Sequence, residues 1–354
     1  MSNKDYQDPS KQPWVPVISS TGKPLMPCSP KRARELLRKG KATKKWSRGT
    51  IMYLQLVDRE DGDTQDISLG IDPGSKREGY CVITTKRVLL NIQSHAIDGK
   101  WIKKKVEMRT MMRRSRRSRK TPCRTPRFSN RSRKGYLPPS TKARWQLKLN
   151  IVKWLMRLYP INYLAIEDVG TTLKKDEYIR NNSFSPIMVG KNWLYSRLET
   201  LFPDSFKKLP GRYTHDVRKQ LGIYKNSNKL DTCWHTHCVD AWVVAMGWFE
   251  SYRNHTIHKK VIELIPRKLY RRQLHRLTFQ RGGKRSRYGG TMSSGYKKGT
   301  FVTHVRYGIV VLGPTLKRGI TLYGSSVGSV RVTMTAKISD ILAKFYSPWS
   351  LKIL

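Results

Sequence analysis

The chain has 354 residues, and 71 Lys and Arg against 24 Asp and Glu give a formal net charge of +47. Its 38% hydrophobic residues, with 10 Trp, 17 Tyr and 8 Phe, suffice for a buried core and exclude wholesale disorder. No apolar run approaches the ~18 residues of a membrane span, and five Cys without a CxxC pair disfavour both a disulfide framework and a cysteine-based zinc site.

The length predicts two or three domains. VPVIS (15–19) reads as a short strand and GKPLMPCSP (22–30) as an extended turn punctuated by proline. Ser29 caps a predicted helix that has Pro30 at its first position, runs to Lys39 and stops at Gly40. IMYLQLV (51–57) reads as a strand, and 58–66 as a polar turn. ISLGID (67–72), GYCVITT (79–85) and VLLNIQS (88–94) predict an antiparallel meander. Residues 101–120 predict a helix with Arg109, Arg113, Arg116 and Lys120 along one face, widened by Arg114 and Arg117. A Pro/Arg/Ser loop (121–139) precedes a predicted helix from Ser140 to Tyr159, with Trp145, Leu149, Val152 and Met156 on one face and Pro160 ending it. INYLAIEDV (161–169) and FKKL (206–209) read as strands, and 192–202, 214–222 and 234–252 as helices. Beyond 253 the chain is basic and Gly-rich, and 301–313 and 320–335 predict a small twisted barrel or sandwich.

The charges are segregated. Residues 50–100 and 141–252 hold 18 of the 24 acids, whereas 100–134 carry 16 Lys and Arg against Glu107 alone, and 253–300 carry 14 against Glu263 alone. A free chain at this charge repels itself and calls for a polyanion, for which nucleic acid is the economical choice. The N-terminus lacks an apolar signal core, which predicts a cytoplasmic protein without a membrane partner. Balanced segments alternating with basic ones favour an enzyme with carboxylate ligands and separate polyanion grips over a passive coat protein.

Asp72 closes an apolar strand before Pro73-Gly74, and Glu167 closes another, YLAIE. An acid in an apolar strand needs a partner or a metal. HCVD places His237 and Asp240 at i and i+3 on one helix face. Singly, these are a turn former, a salt-bridge acid, a satisfied helix His and its partner. Together they predict a site for phosphodiester hydrolysis, in which two Mg2+ ions roughly 4 Å apart activate water and neutralise the leaving oxygen. Asp72, Glu167 and Asp240 are the expected metal ligands, with Mn2+ as a substitute for Mg2+. His237 is the expected proton acceptor, and the sequence leaves open whether it is base or ligand. Cys233, His235, His237 and Cys238 lie too close in sequence to surround one tetrahedral zinc ion.

GIDPGS, YLAIEDV and HCVDAW resemble the three split motifs of RuvC-type nucleases, which implies an α/β, RNase H-like fold. The Arg-rich helix resembles the bridge helix of type II CRISPR effectors and their transposon-encoded relatives. GKPLMPCSPKRARELLRKGKA resembles the N-terminal PLMP segment of the IscB/IsrB group, and RRQLHR with the later YGG resembles their C-terminal region. Glu167 and His237 are only 70 residues apart, without the paired His and Asn of an HNH domain, so the chain resembles IsrB, the form lacking HNH. The resemblance implies a PLMP domain (1–64), a first RuvC segment (65–99), a bridge helix and basic loop (100–134), second and third RuvC segments (135–252), and a basic β-rich domain (253–354) that reads a target-adjacent motif. It implies an RNA-guided nickase of the non-target strand, a monomer bound to omega RNA, acting on double-stranded DNA. Arg109, Arg113, Arg114, Arg116, Arg117, Arg119 and Lys120, with Arg271, Arg272 and Arg276, would then hold nucleic acid, and Arg285, Arg287 and Tyr288 lie in a loop that reads the motif or holds RNA. An RNA-independent junction resolvase with the same core, and a nonenzymatic RNA-binding protein, are the alternatives.

Overall fold

A computed structural model describes residues 14–47, 51–97, 99–120, 137–168, 186–249, 255–267, 292–325, 330–345, 347 and 349–353. It divides into two compact units, Met1–Thr43 with Leu54–Val261, and Lys44–Tyr53 with Ile262–Leu354.

The first unit opens with β1 (Val15–Ile18) and β2 (Pro24–Cys28), paired antiparallel. The segment expected to be a turn is therefore largely strand. The turn is confined to 19–23, where Gly22 takes φ 95° and the Ser19 N–H donates to Lys23 O at 2.8 Å. The prolines of β2 are tolerated because β2 lies at a sheet edge, where a missing donor costs little. Helix α1 (Pro30–Arg38) begins as expected, with Ser29 Oγ accepting the Arg32 N–H at 3.3 Å. Strand β3 (Ala42–Ser47), alternating too weakly to be read from sequence, and β4 (Ile51–Leu56) have most of their residues in the second unit's segment Lys44–Tyr53, while Leu54 and Gln55 of β4 belong to the first unit and run parallel to β1.

The core sheet is built on β5 (Ile67–Asp72), β6 (Arg77–Thr84) and β7 (Val88–His95), the expected antiparallel meander. On the other side of β5 lie β8 (Tyr163–Asp168) and β9 (Phe206–Pro210), both parallel, giving the order β7-β6-β5-β8-β9. All six residues of β5 are buried, as a strand covered on both faces requires. Helix α2 (Gly99–Lys120) carries the basic stretch. Helix α3 (Pro139–Leu155) stops one turn short of the expected Tyr159, and its buried residues extend round the helix rather than along one face. Helices α4 (Pro186–Leu201) and α5 (Gly211–Gln220) start earlier than expected. The predicted helix over 234–252 is instead a π-helical turn, Trp234–Cys238, followed by α6 (Val239–Met246). Every residue of α6 is buried, in keeping with its all-apolar surface apart from Asp240.

The second unit contains β10 (Ile262–Pro266) and a short hairpin of β11 (Met292–Ser293) and β12 (Tyr296–Lys297). There follow β13 (Phe301–His304), β14 (Gly308–Leu316), β15 (Gly319–Gly324), β16 (Arg331–Ala336), β17 (Ile341–Phe345) and β18 (Trp349–Ile353), which pairs antiparallel with β10. The expected barrel or sandwich is one five-stranded antiparallel sheet, ordered β16-β15-β14-β13-β17, with Val302, Val310, Leu312, Ile320 and Leu322 as its core. Among the described residues no helix is long and apolar enough to cross a membrane.

Candidate active site

Sheet register brings the first two acids together. Ile71 faces Ile166 across the parallel β5–β8 ladder, so the next residues, Asp72 and Glu167, are neighbours at the strand ends. Side chains alternate along β5, placing Ser68, Gly70 and Asp72 on one face. Helix α6 lies on that face. Ser68 Oγ donates to Ala245 O at 2.9 Å, and a Cβ on Gly70 would fall 1.9 Å from Ala241 O. Only glycine admits a helix backbone that close. Gly79, opposite Asp72 on β6, plays the same part, since a Cβ there would fall 2.1 Å from His237 O. The two glycines thus seat the π-turn and the first turn of α6 directly over Asp72. Such turns recur where a helix must aim a functional side chain.

Asp72, Glu167 and Asp240 each offer a carboxylate oxygen, and these oxygens lie within 4.8 Å of one another. Asp72 and Asp240 are buried and Glu167 is partly so. His237 Nδ1 lies 2.6 Å from Asp72 Oδ2, and its Nε2 lies 3.2 Å from Lys229 O. A carbonyl can only accept, so Nε2 carries a proton. With Nδ1 facing a carboxylate, both contacts favour the charged imidazolium form of His237. Burial works against that charge, but the hydrogen bond and charge of Asp72 outweigh it and raise the His237 pKa. Burial likewise pushes Asp72 up, yet the hydrogen bond and charge of His237, with a hydrogen bond from Glu167, hold it below its ordinary value.

Glu167 goes the other way. Burial, the charge of Asp72 and the proton it shares with Asp72 push it up to about 8, while Thr214 Oγ1, donating to Glu167 Oε1 at 3.0 Å, only partly offsets them. Asp240 is raised by burial and by Asp72, against the pull of Lys225 and Arg218. Lys225 pairs with Asp240 Oδ2 through Nζ, and Arg218 Nε lies 2.8 Å from Oδ1 as an ion pair. That oxygen is buried and accepts no hydrogen bond. Three hard carboxylate ligands, one oxygen left without a donor and one acid kept protonated by crowding together fit a divalent cation. Among the described residues this is the one such cluster.

The sequence-predicted Asp72, Glu167, His237 and Asp240 therefore share one point. Lys225, Arg218 and Thr214 join them without any sequence signal: two sit among ordinary helix residues and one in a polar loop. Of the predicted nucleic-acid contacts, Arg109, Arg113 and Arg114 are exposed on α2. Arg116, Arg117, Arg119 and Lys120 belong to the same helix, but their side chains lie outside the described residues, as do Arg271, Arg272, Arg276, Arg285, Arg287 and Tyr288 altogether.

Fold and site together define an α/β protein whose mixed sheet and one buried helix converge three acids and a histidine at the strand ends. Residues 15–182 match a family model described as RRXRR protein. That range holds Asp72 and Glu167, and the chain reads RRSRR at 113–117 within it. RuvC of T. thermophilus in complex with Holliday junction substrate is similar in structure, at 14% identity over 51% of this chain and 91% of that chain, with a TM-score of 0.27. No curated protein matches the chain.

Proposed function

We propose that the chain is an omega-RNA-guided DNA endonuclease of the IsrB type, which nicks the non-target strand of double-stranded DNA at a single RuvC site. The observation that carries this reading is the meeting of Asp72, Glu167 and Asp240 within 4.8 Å, beside His237. The β7-β6-β5-β8-β9 order, with an antiparallel meander flanked by parallel strands, supports an RNase H-like core.

Hydrolysis exchanges a phosphodiester P–O bond for one to water, with one proton leaving the water and one reaching the departing oxygen. Two divalent ions, Mg2+ or Mn2+, held by Asp72, Glu167 and Asp240, would supply the Lewis acidity that activates the water and stabilises the leaving oxygen. Asp72 orients His237 through Nδ1. In its neutral form, the Nε2 proton having gone to bulk solvent before the substrate is cut, His237 would accept the one proton that leaves the attacking water. Sequence recognition rests with RNA–DNA pairing, which the protein senses as shape and backbone charge. The exposed Arg109, Arg113 and Arg114 of α2 grip the guide backbone, and the 253–354 region reads the target-adjacent motif. One site cuts one strand.

A supercoiled plasmid carrying the target tests this. Nicked circles are expected only when co-purified RNA, Mg2+ and target are all present, and Asp72→Ala should abolish them. RNA-independent cutting of four-way junctions would replace the guided reading with a resolvase. RNA binding without cutting under any condition would make the acids structural.

A further inference from the structure

The loop from Leu221 to Cys233, between α5 and the π-turn, touches the carboxylate centre twice. Lys225 pairs with Asp240, and the Lys229 carbonyl meets His237. Between α5 and Lys225 stands Tyr224, a large aromatic side chain that is 66% exposed. It is not loosely placed. Its ring stacks on His235 with centroids 4.1 Å apart and planes 13° from parallel, and its carbonyl lies 3.3 Å from His235 Nδ1. His235 in turn meets the buried Trp234 edge to face, at 5.0 Å. Three rings therefore run from the core to the surface, and the outermost keeps a free face. The loop and the end of α5 that feeds it carry Arg218, Lys219, Lys225 and Lys229. The loop's one acid, Asp231, is exposed but already engaged within the loop, accepting from Asn226 Nδ2 at 2.9 Å and from the Thr232 N–H.

We propose that Tyr224 is a base-stacking subsite, taking a nucleobase of single-stranded DNA next to the phosphate held at the carboxylate centre. A rigid aromatic face on a basic segment is the recognised physics of single-strand binding, tolerant of sequence because every base has a π-face. Tyr224 directly precedes Lys225, whose ammonium pairs with Asp240, so a base stacked on the ring sets the position of its own phosphate. Tyr224 is thus a positioning residue. The proposal rests on reading the centre as one that cuts a single strand.

The test uses the full chain with its co-purified RNA, Ca2+ in place of Mg2+ to hold the strand uncut, and a short oligothymidylate carrying one 2-aminopurine. Binding should quench the 2-aminopurine fluorescence. Tyr224→Ala should lose the quench and bind about 10-fold to 100-fold more weakly, whereas Tyr224→Phe should keep both. No quench with the wild-type chain, or an equal quench in Tyr224→Ala, overturns the proposal. If the quench depends on the ring yet wild-type protein with Mg2+ never nicks, the nuclease reading fails while the subsite stands. If nicking proceeds with the quench indifferent to the ring, the reverse holds.

Discussion

Asp72 and Glu78 flank the same turn between β5 and β6, both are buried, and they meet opposite surroundings. Glu78 has one cation and one hydroxyl: the Lys148 ammonium from α3 pairs with its Oε1, and Tyr80 OH donates to its Oε2 at 2.7 Å. Acid and base balance one to one. Asp72 shares its surroundings with two further acids, and the nearby cations are divided unequally among them. His237 serves Asp72, Lys225 and Arg218 serve Asp240, and Glu167 is left with a hydroxyl and a proton. A balanced buried pair braces a fold. A crowded set whose members are driven apart, Asp72 down and Glu167 up, marks a site arranged for a ligand the protein itself does not supply.

The sharpest way to break this comparison is to neutralise one acid of each kind. Glu78→Gln leaves Lys148 charged and buried without its partner, which should cost about 3–5 kcal/mol of stability. Glu167→Gln removes a crowded acid, so the metal-free protein should melt no lower than wild type at pH 8. Its nicking should still fall on the order of a thousandfold, because a ligand worth several kcal/mol at the transition state is gone. Melting curves and plasmid nicking on both variants decide it. A destabilised Glu167→Gln with intact nicking would mean the two acids do the same job.

A smaller effect should appear in pH. Folding raises the Glu167 pKa from 4.5 to about 8, so its stabilising contribution is complete below about 4.5 and disappears as pH rises through 8. His237 and Asp240 are raised too and act in the same sense. Asp72 is lowered, so its contribution is lost only in acid, below the window that matters here. Metal binding must displace the Glu167 proton. The rise in melting temperature on adding Mg2+ should therefore grow from pH 5 to pH 8 in wild type and stay flatter in Glu167→Gln. Parallel profiles for the two proteins would contradict the assignment.

Much of this was legible in the chain because local chemistry and final structure agree. Ser29-Pro30 and Gly40 mark both ends of α1, and the apolar runs ending in Asp72 and Glu167 mark β5 and β8 with their acids at the ends. What stayed hidden depends on distance across the fold. β2 is a strand despite its prolines because only its neighbour makes it an edge. The π-turn follows from seating His237 over Gly79, and Gly70 reads as an unremarkable strand glycine until α6 lies on it. Lys225 and Arg218 gain meaning only from Asp240, 15 and 22 residues further along. The exposed arginines of α2 were plain from composition, but composition does not say what they hold.

Those arginines extend the comparison from buried charge to exposed charge, with the smallest effect per residue. Replacing Arg109, Arg113 and Arg114 by Ala should leave the melting temperature nearly unchanged, since surface substitutions usually stay within about 0.5 kcal/mol. RNA binding should weaken, and the slope of log affinity against log salt should flatten by about 0.7 for each lost single-strand phosphate contact. The cost of Glu78→Gln should hardly respond to salt, because a buried pair is poorly screened, whereas the loss in the Arg variant should fade as salt rises. Titrating both variants across the same salt series reads the difference directly. An Arg variant with an unchanged slope would remove α2 as the backbone grip, and a salt-sensitive Glu78→Gln would mean that water reaches the pair.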